Sequence, residues 1–267
     1  MHLDHVKSVG ISAAYRGSEI LRARLGNISK VTKKSKIDLV TEADAESEEA
    51  IIETIRNAFP DHGILAEESG GYQEKADCRW IIDPLDGTTN FAHQLGLFSV
   101  SIAFAFKGIV KVGIVQVPMS GELFWAVAGK GAALNGRPIR VSNSGKVSES
   151  LLVTGFPYNF KDMLNPLMRR FSNCLSASRG VRRLGSAALD LCYVACGRFE
   201  AFWEQNLEPW DTAAGMLIVR EAGGRVTDFF DRPFRPDKSE ILASNDKIHA
   251  EMLSLLNLED TECEKIR

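Results

Sequence analysis

Residues 80–91 read WIIDPLDGTTNF. Trp80, Ile81 and Ile82 have the aromatic and β-branched character of a buried strand, yet they run directly into Asp83, Pro84, Leu85, Asp86 and Gly87. Taken alone, D-P-x-D-G is a good surface turn. Two other segments argue against that bland reading. GILAEES at 63–69 carries Glu67 and Glu68 at the end of a strand, and PWDTAAG at 209–215 sets Asp211 at the start of an otherwise apolar helix. Asp211 alone is explained by the helix dipole, and Glu67-Glu68 alone by a solvated strand end. All three together need one explanation.

Buried carboxylates are costly unless paired, hydrogen-bonded or neutralised by metal. Residues 61–100 offer Lys75 and Arg79 as their only Lys or Arg. A cluster of acids short of bases points to divalent cations, and oxygen ligands without His or Cys favour Mg²⁺ or Mn²⁺ over Zn²⁺. With Pro84 fixing a turn, Asp83 and Asp86 point to one spot with the Leu85 carbonyl between them. Gly87 permits close backbone approach, and a turn or helix opening at Gly87-Thr88-Thr89 aims N–H groups at an anion. Acids beside an amide nest suit a metal–phosphate pocket.

Outward from this stretch, spacing predicts a helix over 3–25 stopped by Gly26, a basic loop at 30–36, and a second helix opened by Thr41 and Asp44 and ended by Pro60. The runs RWIID, SVSIAFAF, IVKVGIVQV and ELFWAVA, with turns at Lys107-Gly108, Met119–Gly121 and Asn135-Gly136, predict an antiparallel meander. From 151 onward, strands alternate with helices near 162–177, 186–196, 211–222 and 246–257. The expectation is one layered domain in two halves, 1–145 and 146–267.

At 267 residues and 45% hydrophobic, the chain has ample material for a sizeable core. A net charge of −3 gives no overall case for nucleic acid or an anionic membrane. The N-terminal MHLDHVKSVG lacks a signal-peptide pattern and no apolar run reaches membrane-spanning length, so a cytoplasmic protein is expected. Five cysteines without a C-x-x-C pair agree; Cys192 and Cys196, four apart, read as core residues.

DPLDGTTNF, with GILAEES upstream and WDTAAGMLIVREAGG downstream, resembles the inositol monophosphatase family of Mg²⁺-dependent, lithium-sensitive phosphatases. The likeness runs from DLVTEAD at 38–44 to ILASN at 241–245. It implies an α/β (α+β layered) αβαβα sandwich of the inositol monophosphatase and fructose-1,6-bisphosphatase type, usually homodimeric. By motif, it implies Glu67, Asp83 and the Leu85 carbonyl as ligands of one metal, and Asp83, Asp86 and Asp211 as ligands of a second. Glu67 would help hold a third, so that two to three Mg²⁺ ions are expected, with Mn²⁺ a substitute. Gly87 and Thr88 would bind phosphate, and Asp44 with Thr88 would orient the attacking water; Asp44, Thr88 and Glu67 are thus the catalytic candidates. Lys33 matches an active-site loop lysine. Gly185, Ser186 and Ala187 of GSAA, together with Glu204, would contact the substrate.

The implied reaction hydrolyses inositol 1-phosphate to inositol and phosphate with no covalent intermediate. Fructose-1,6-bisphosphatase and histidinol-phosphate phosphatase activities remain open, the former needing a base for the second phosphate such as Arg169, Arg170 or Arg179. The nucleotidases of the superfamily tend to be longer. His93 reads as structural, and Arg182 and Arg183 as a dimer face, surface or second-anion site. A binding role with the transcription machinery also stays open, supported only by the basic runs at 30–36 and 179–183.

Overall fold

The computed structural model describes residues 2–27, 31–33, 39–73, 76–157 and 159–258, with only the backbone course for 31–33 and 39–41. The apolar spacing near the start forms α1 (Leu3–Arg24), with Val6, Ala13, Ala14 and Leu21 buried. The segment at 30–36 read as a basic loop instead carries strand β1 (Val31–Lys33), which pairs antiparallel with β2 (Leu39–Thr41) just beyond it. Val31, Thr32, Val40 and Thr41 have strand preferences that the lysines hid. Helix α2 (Glu42–Ala58) follows and stops before Pro60.

Next come β3 (Gly63–Ala66), β4 (Gly70–Tyr72), β5 (Cys78–Asp86) and the short α3 (Thr88–Ala92). The meander continues as β6 (Ser99–Phe106), β7 (Ile109–Val117), β8 (Glu122–Val127), β9 (Ala132–Leu134) and β10 (Arg137–Pro138). These form an eight-stranded sheet in the order β10-β9-β8-β7-β6-β5-β3-β4, antiparallel except where β3 and β5 run parallel. Lys107-Gly108 and Asn135-Gly136 are left-handed at both residues, as two-residue hairpins require.

The second part comprises β11 (Leu151–Thr154), α4 (Leu164–Ala177), β12 (Gly180–Arg182), α5 (Ala187–Ala195) and β13 (Ala201–Gln205). It ends with α6 (Pro209–Glu221), β14 (Arg225–Thr227), β15 (Glu240–Ser244) and α7 (His249–Leu256). Its five strands order as β12-β11-β13-β15-β14.

Strand alternation sorts the layers. Trp80, Ile82, Val112 and Ile114 face α1 and α2 in one core, whereas Ile81 and Val115 join Leu189, Leu191, Ala213 and Ile218 of α5 and α6 in another. The far side of α5 and α6 meets Phe202 and Ala243 of the small sheet. Leu152, Trp203 and Leu242 on its outer face pack against Cys174 of α4 and Met252 of α7. The result is the expected αβαβα sandwich, with α5 and α6 as the middle layer.

One local expectation is corrected. Asp83 to Asp86 is not a turn beyond the strand: β5 continues through Asp86, pairing Asp83 with Ser101 and Asp86 with Ser99 across an irregularity in register. Proline at the bulge needs no ladder N–H, so the strand absorbs it. Among the described residues, no helix is long and apolar enough to cross a membrane.

The middle layer is seated by glycine. A Cβ on Gly113 of β7 would lie 2.6 Å from the Ala214 carbonyl oxygen of α6. Gly113→Val is therefore expected to destabilise by at least about 1–3 kcal/mol, seen as a lower urea midpoint. Gly145→Ala, where a Cβ meets nothing within 4 Å, should leave that midpoint unchanged.

Candidate active site

The parallel pairing of β3 and β5 sets their carboxyl ends side by side, and the Glu67 N–H donates to the Ile82 carbonyl at 3.2 Å. Asp83 shares a strand face with Ile81 and so looks towards the middle helices. Its Oδ1 accepts the Leu85 N–H at 2.9 Å. Asp86 docks on the start of α5, where opposite partial charge awaits it. Ser186 Oγ donates to its Oδ2 at 2.6 Å and the Ala188 N–H to the same oxygen at 2.7 Å, while the Ala187 N–H reaches Oδ1 at 3.2 Å. Asp211 is the third residue of α6, and its Oδ2 takes the Glu208 N–H at 2.7 Å in a reciprocal capping box.

Glu67, Asp83, Asp86 and Asp211 border one cavity of about 830 Å³. Leu85, Gly87, Thr88, Gly185, Ser186, Ala187 and Glu204 border it too. Burial drives the Asp83 pKa far up, and the charges of Glu67, Asp86 and Asp211 push it further. Burial also lifts Asp211, helped by Asp86. Asp86 is raised less, because burial is opposed by the bonds from Ser186, Ala188 and Ala187. Glu204, on the same strand face as Phe202, is buried and pushed up to about 8 by desolvation, with Arg183 pulling the other way.

A second ring supports these acids from α2. The Thr88 hydroxyl reaches the Leu85 carbonyl at 3.1 Å and Asp44 Oδ1 at 3.4 Å. One helical turn on, Ser47 Oγ donates to the Pro84 carbonyl at 3.1 Å, and the Glu48 carboxylate accepts the N–H groups of Glu68 and Ser69, each at 2.8 Å. The 44, 47, 48 spacing is one buried face of a helix and was the available signal for Ser47 and Glu48, which sequence reading passed over.

Other expectations resolve unevenly. The Lys33 side chain lies outside the described residues. Gly185, Ser186 and Ala187 do border the cavity, but Ser186 and Ala187 direct donors to Asp86. Gly185 is left-handed, with φ of 91°. None of Arg169, Arg170 and Arg179 borders the cavity; Arg170 instead donates to Gln205 and the Leu256 carbonyl. Among the described lining residues, Arg183 is the single Lys or Arg. His93 is exposed rather than the structural residue expected, while Cys192 is buried as expected and Cys196 half-buried.

The donors bordering this wall are all oxygens, which fits a hard divalent cation. Among the described residues, no group of three or more His, Cys, Asp or Glu side chains is gathered tightly enough to hold a metal as it stands. The charges of Glu67 and Asp86 nonetheless raise both Asp83 and Asp211, so the four acids stand close enough to act on one another.

The profile of the inositol monophosphatase family matches residues 2–259. The chain belongs to that family. It is a member of a phosphatase family, and its relatives carry two kinds of name. It is 46% identical to the inositol-1-monophosphatase of Synechocystis sp. over 90% of this chain and 84% of that one. It is 42% identical to Nus factor SuhB of Pseudomonas aeruginosa over 93% and 94% of the two chains. The solved structure of extragenic suppressor protein suhB from Bartonella henselae superposes with a TM-score of 0.92 at 38% identity, covering 96% of this inositol monophosphatase family member and 99% of that chain.

Two outcomes follow from the acids. Glu48→Ala leaves two part-buried N–H groups without their carboxylate and is expected to cost about 2–4 kcal/mol in urea unfolding. Glu204 rises from the usual 4.5 to about 8 on folding, so between those values the unfolded chain sheds a proton that the folded one keeps. The stability this group contributes in acid is therefore lost as pH climbs from 4.5 to about 8. In chelator-treated protein, the melting-temperature advantage of Glu204→Gln over wild type should grow across that window.

Proposed function

We propose that this protein is a Mg²⁺-dependent phosphomonoesterase that hydrolyses inositol 1-phosphate and related polyol monophosphates in the cytoplasm, as a homodimer. The observation that carries the reading is that Glu67, Asp83, Asp86 and Asp211 border the same cavity as the buried Glu204. In this scheme residues 1–145 supply most of the metal and phosphate ligands, and residues 146–267 select the substrate.

Glu67, Asp83, Asp86, Asp211 and the Leu85 carbonyl would hold two to three Mg²⁺ ions, with Mn²⁺ a substitute. When bound, the metal neutralises phosphate charge and makes water more acidic. The remaining work belongs to the chain. Backbone N–H groups at Gly87 and Thr88 orient the phosphate. Asp44 draws the Thr88 hydroxyl proton towards itself, leaving Thr88 Oγ1 to take a proton from the attacking water. Glu204, its carboxyl pushed up to about 8 by burial, keeps its proton at neutral pH and both donates to and accepts from polyol hydroxyls.

The cavity's charge favours this substrate class over a bisphosphate. Seven carboxylate side chains border it against Arg183 alone among the described residues, so a second phosphate finds little to pair with. Relatives named Nus factor SuhB support a second reading, in which the chain also assembles with a transcription complex.

Phosphate release from inositol 1-phosphate, fructose 1,6-bisphosphate and histidinol phosphate, with and without Mg²⁺, tests the assignment. Mg²⁺-dependent release is expected to be strongest on inositol 1-phosphate. Asp86→Asn and Asp211→Asn should lose more than the roughly 10- to 100-fold that removal of an outer-shell partner costs, with the circular dichroism melt retained. Near-normal turnover by either variant would sink the metal assignment.

A further inference from the structure

Asp190 is a buried acid at the cavity for which the scheme above has no use. It stands on the first turn of α5, in the otherwise apolar AALDLCYVA, is 1% exposed, and borders the same cavity. The free N–H groups at the start of the same helix, from Ala187 and Ala188, are given to Asp86. Among the described residues, neither Asp190 oxygen has a hydrogen-bond partner. An orphaned buried carboxyl is expensive, so an apolar helix that carries one at a cavity wall has a ligand to meet. Burial raises its pKa far above the ordinary range, Glu204 adds to the rise, and Arg183 opposes it. Asp86 of the acid cluster adds to the rise as well, so Asp190 stands between that cluster and the Glu204–Arg183 pair.

We infer that Asp190 is a specificity-determining residue which, paired with Glu204, takes hydrogen bonds from hydroxyls of the alcohol released in the reaction. This rests on the polyol-phosphate reading and sharpens it. Glu204 is fixed on β13 and Asp190 on α5, so two acceptors are held on separate rigid elements. An alcohol with neighbouring hydroxyls satisfies both, whereas one lacking them leaves a buried acceptor unpaired, the arrangement that gives strong discrimination.

The test compares kcat/KM on inositol 1-phosphate with that on 4-nitrophenyl phosphate, whose leaving group has no further hydroxyl. Wild type, Asp190→Asn and Asp190→Leu are measured with Mg²⁺, alongside thermal melts. Both substitutions remove an unpartnered buried acid, and the Asn variant keeps its shape, so the fold is expected to survive. The Leu variant should lose about 10- to 100-fold on inositol 1-phosphate and less than about threefold on 4-nitrophenyl phosphate, with Asn in between. Equal losses on both substrates would overturn the inference and place Asp190 in service of the acid cluster. A wild type that releases phosphate from 4-nitrophenyl phosphate but from no polyol phosphate overturns the polyol reading first, a result visible without any variant.

Discussion

Gathering Asp83, Asp86 and Asp211 beside Glu67 costs free energy through desolvation and mutual repulsion, and much of the surrounding fold serves to hold that arrangement. Each acid keeps at least one oxygen on a backbone N–H: Leu85 for Asp83, Ala187 and Ala188 for Asp86, Glu208 for Asp211. Such bonds favour the ionised form while desolvation and repulsion oppose it. The balance keeps the carboxylates oriented but electrostatically unsatisfied, which is the state a hard cation relieves.

The layer order follows from the same demand. α5 and α6 lie between the two sheets, and the start of each meets an acid: α5 receives Asp86 from β5, and α6 carries Asp211 in its own capping box. Helix starts are the places where backbone donors remain unspent, so two of them at one cavity can hold acids that a sheet end cannot. Close packing makes this possible. Gly113 admits α6 onto the large sheet, and Gly215 admits Leu191 of α5 onto α6. On the other side, α2 contributes Asp44, Ser47 and Glu48 from one face, so that a single helix touches the Thr88 hydroxyl, the Pro84 carbonyl and the loop after Glu67.

What was legible in the sequence is what local chemistry dictates. SVSIAFAF and IVKVGIVQV give β6 and β7 residue for residue, because alternation and the Lys107-Gly108 turn speak with one voice. The motifs that carry the family resemblance meet at one cavity, with Glu67, Asp83, Leu85, Asp86, Gly87, Thr88 and Asp211 all on its wall. What stayed hidden depends on partners far away in the chain. The β1–β2 ladder was masked by lysines, and β5 passes through Pro84 because Ser99 and Ser101 of β6 pair on either side of the irregularity. Ser47 and Glu48 look like ordinary helix polar residues until the strand ends they grip are in place. Asp190 is a lone acid in an apolar helix, and only the diversion of the α5 donors to Asp86 shows that it is stranded.

The two names carried by the relatives can be weighed on the same energetic ground. Transcription assembly draws on an outer surface and has no need of buried acids whose ionisation the fold resists. A chain held only for such binding would gain stability from Asn or a small apolar residue at Asp83, Asp86, Asp190 or Asp211, since replacing uncompensated buried charge is commonly neutral or favourable. This sequence keeps all of them, together with the α2 face and helix starts that hold them. The cost falls at the walls of the cavity and not on an outer surface. Any assembly of the kind the SuhB name suggests would then be an addition to the chemistry proposed for this cavity.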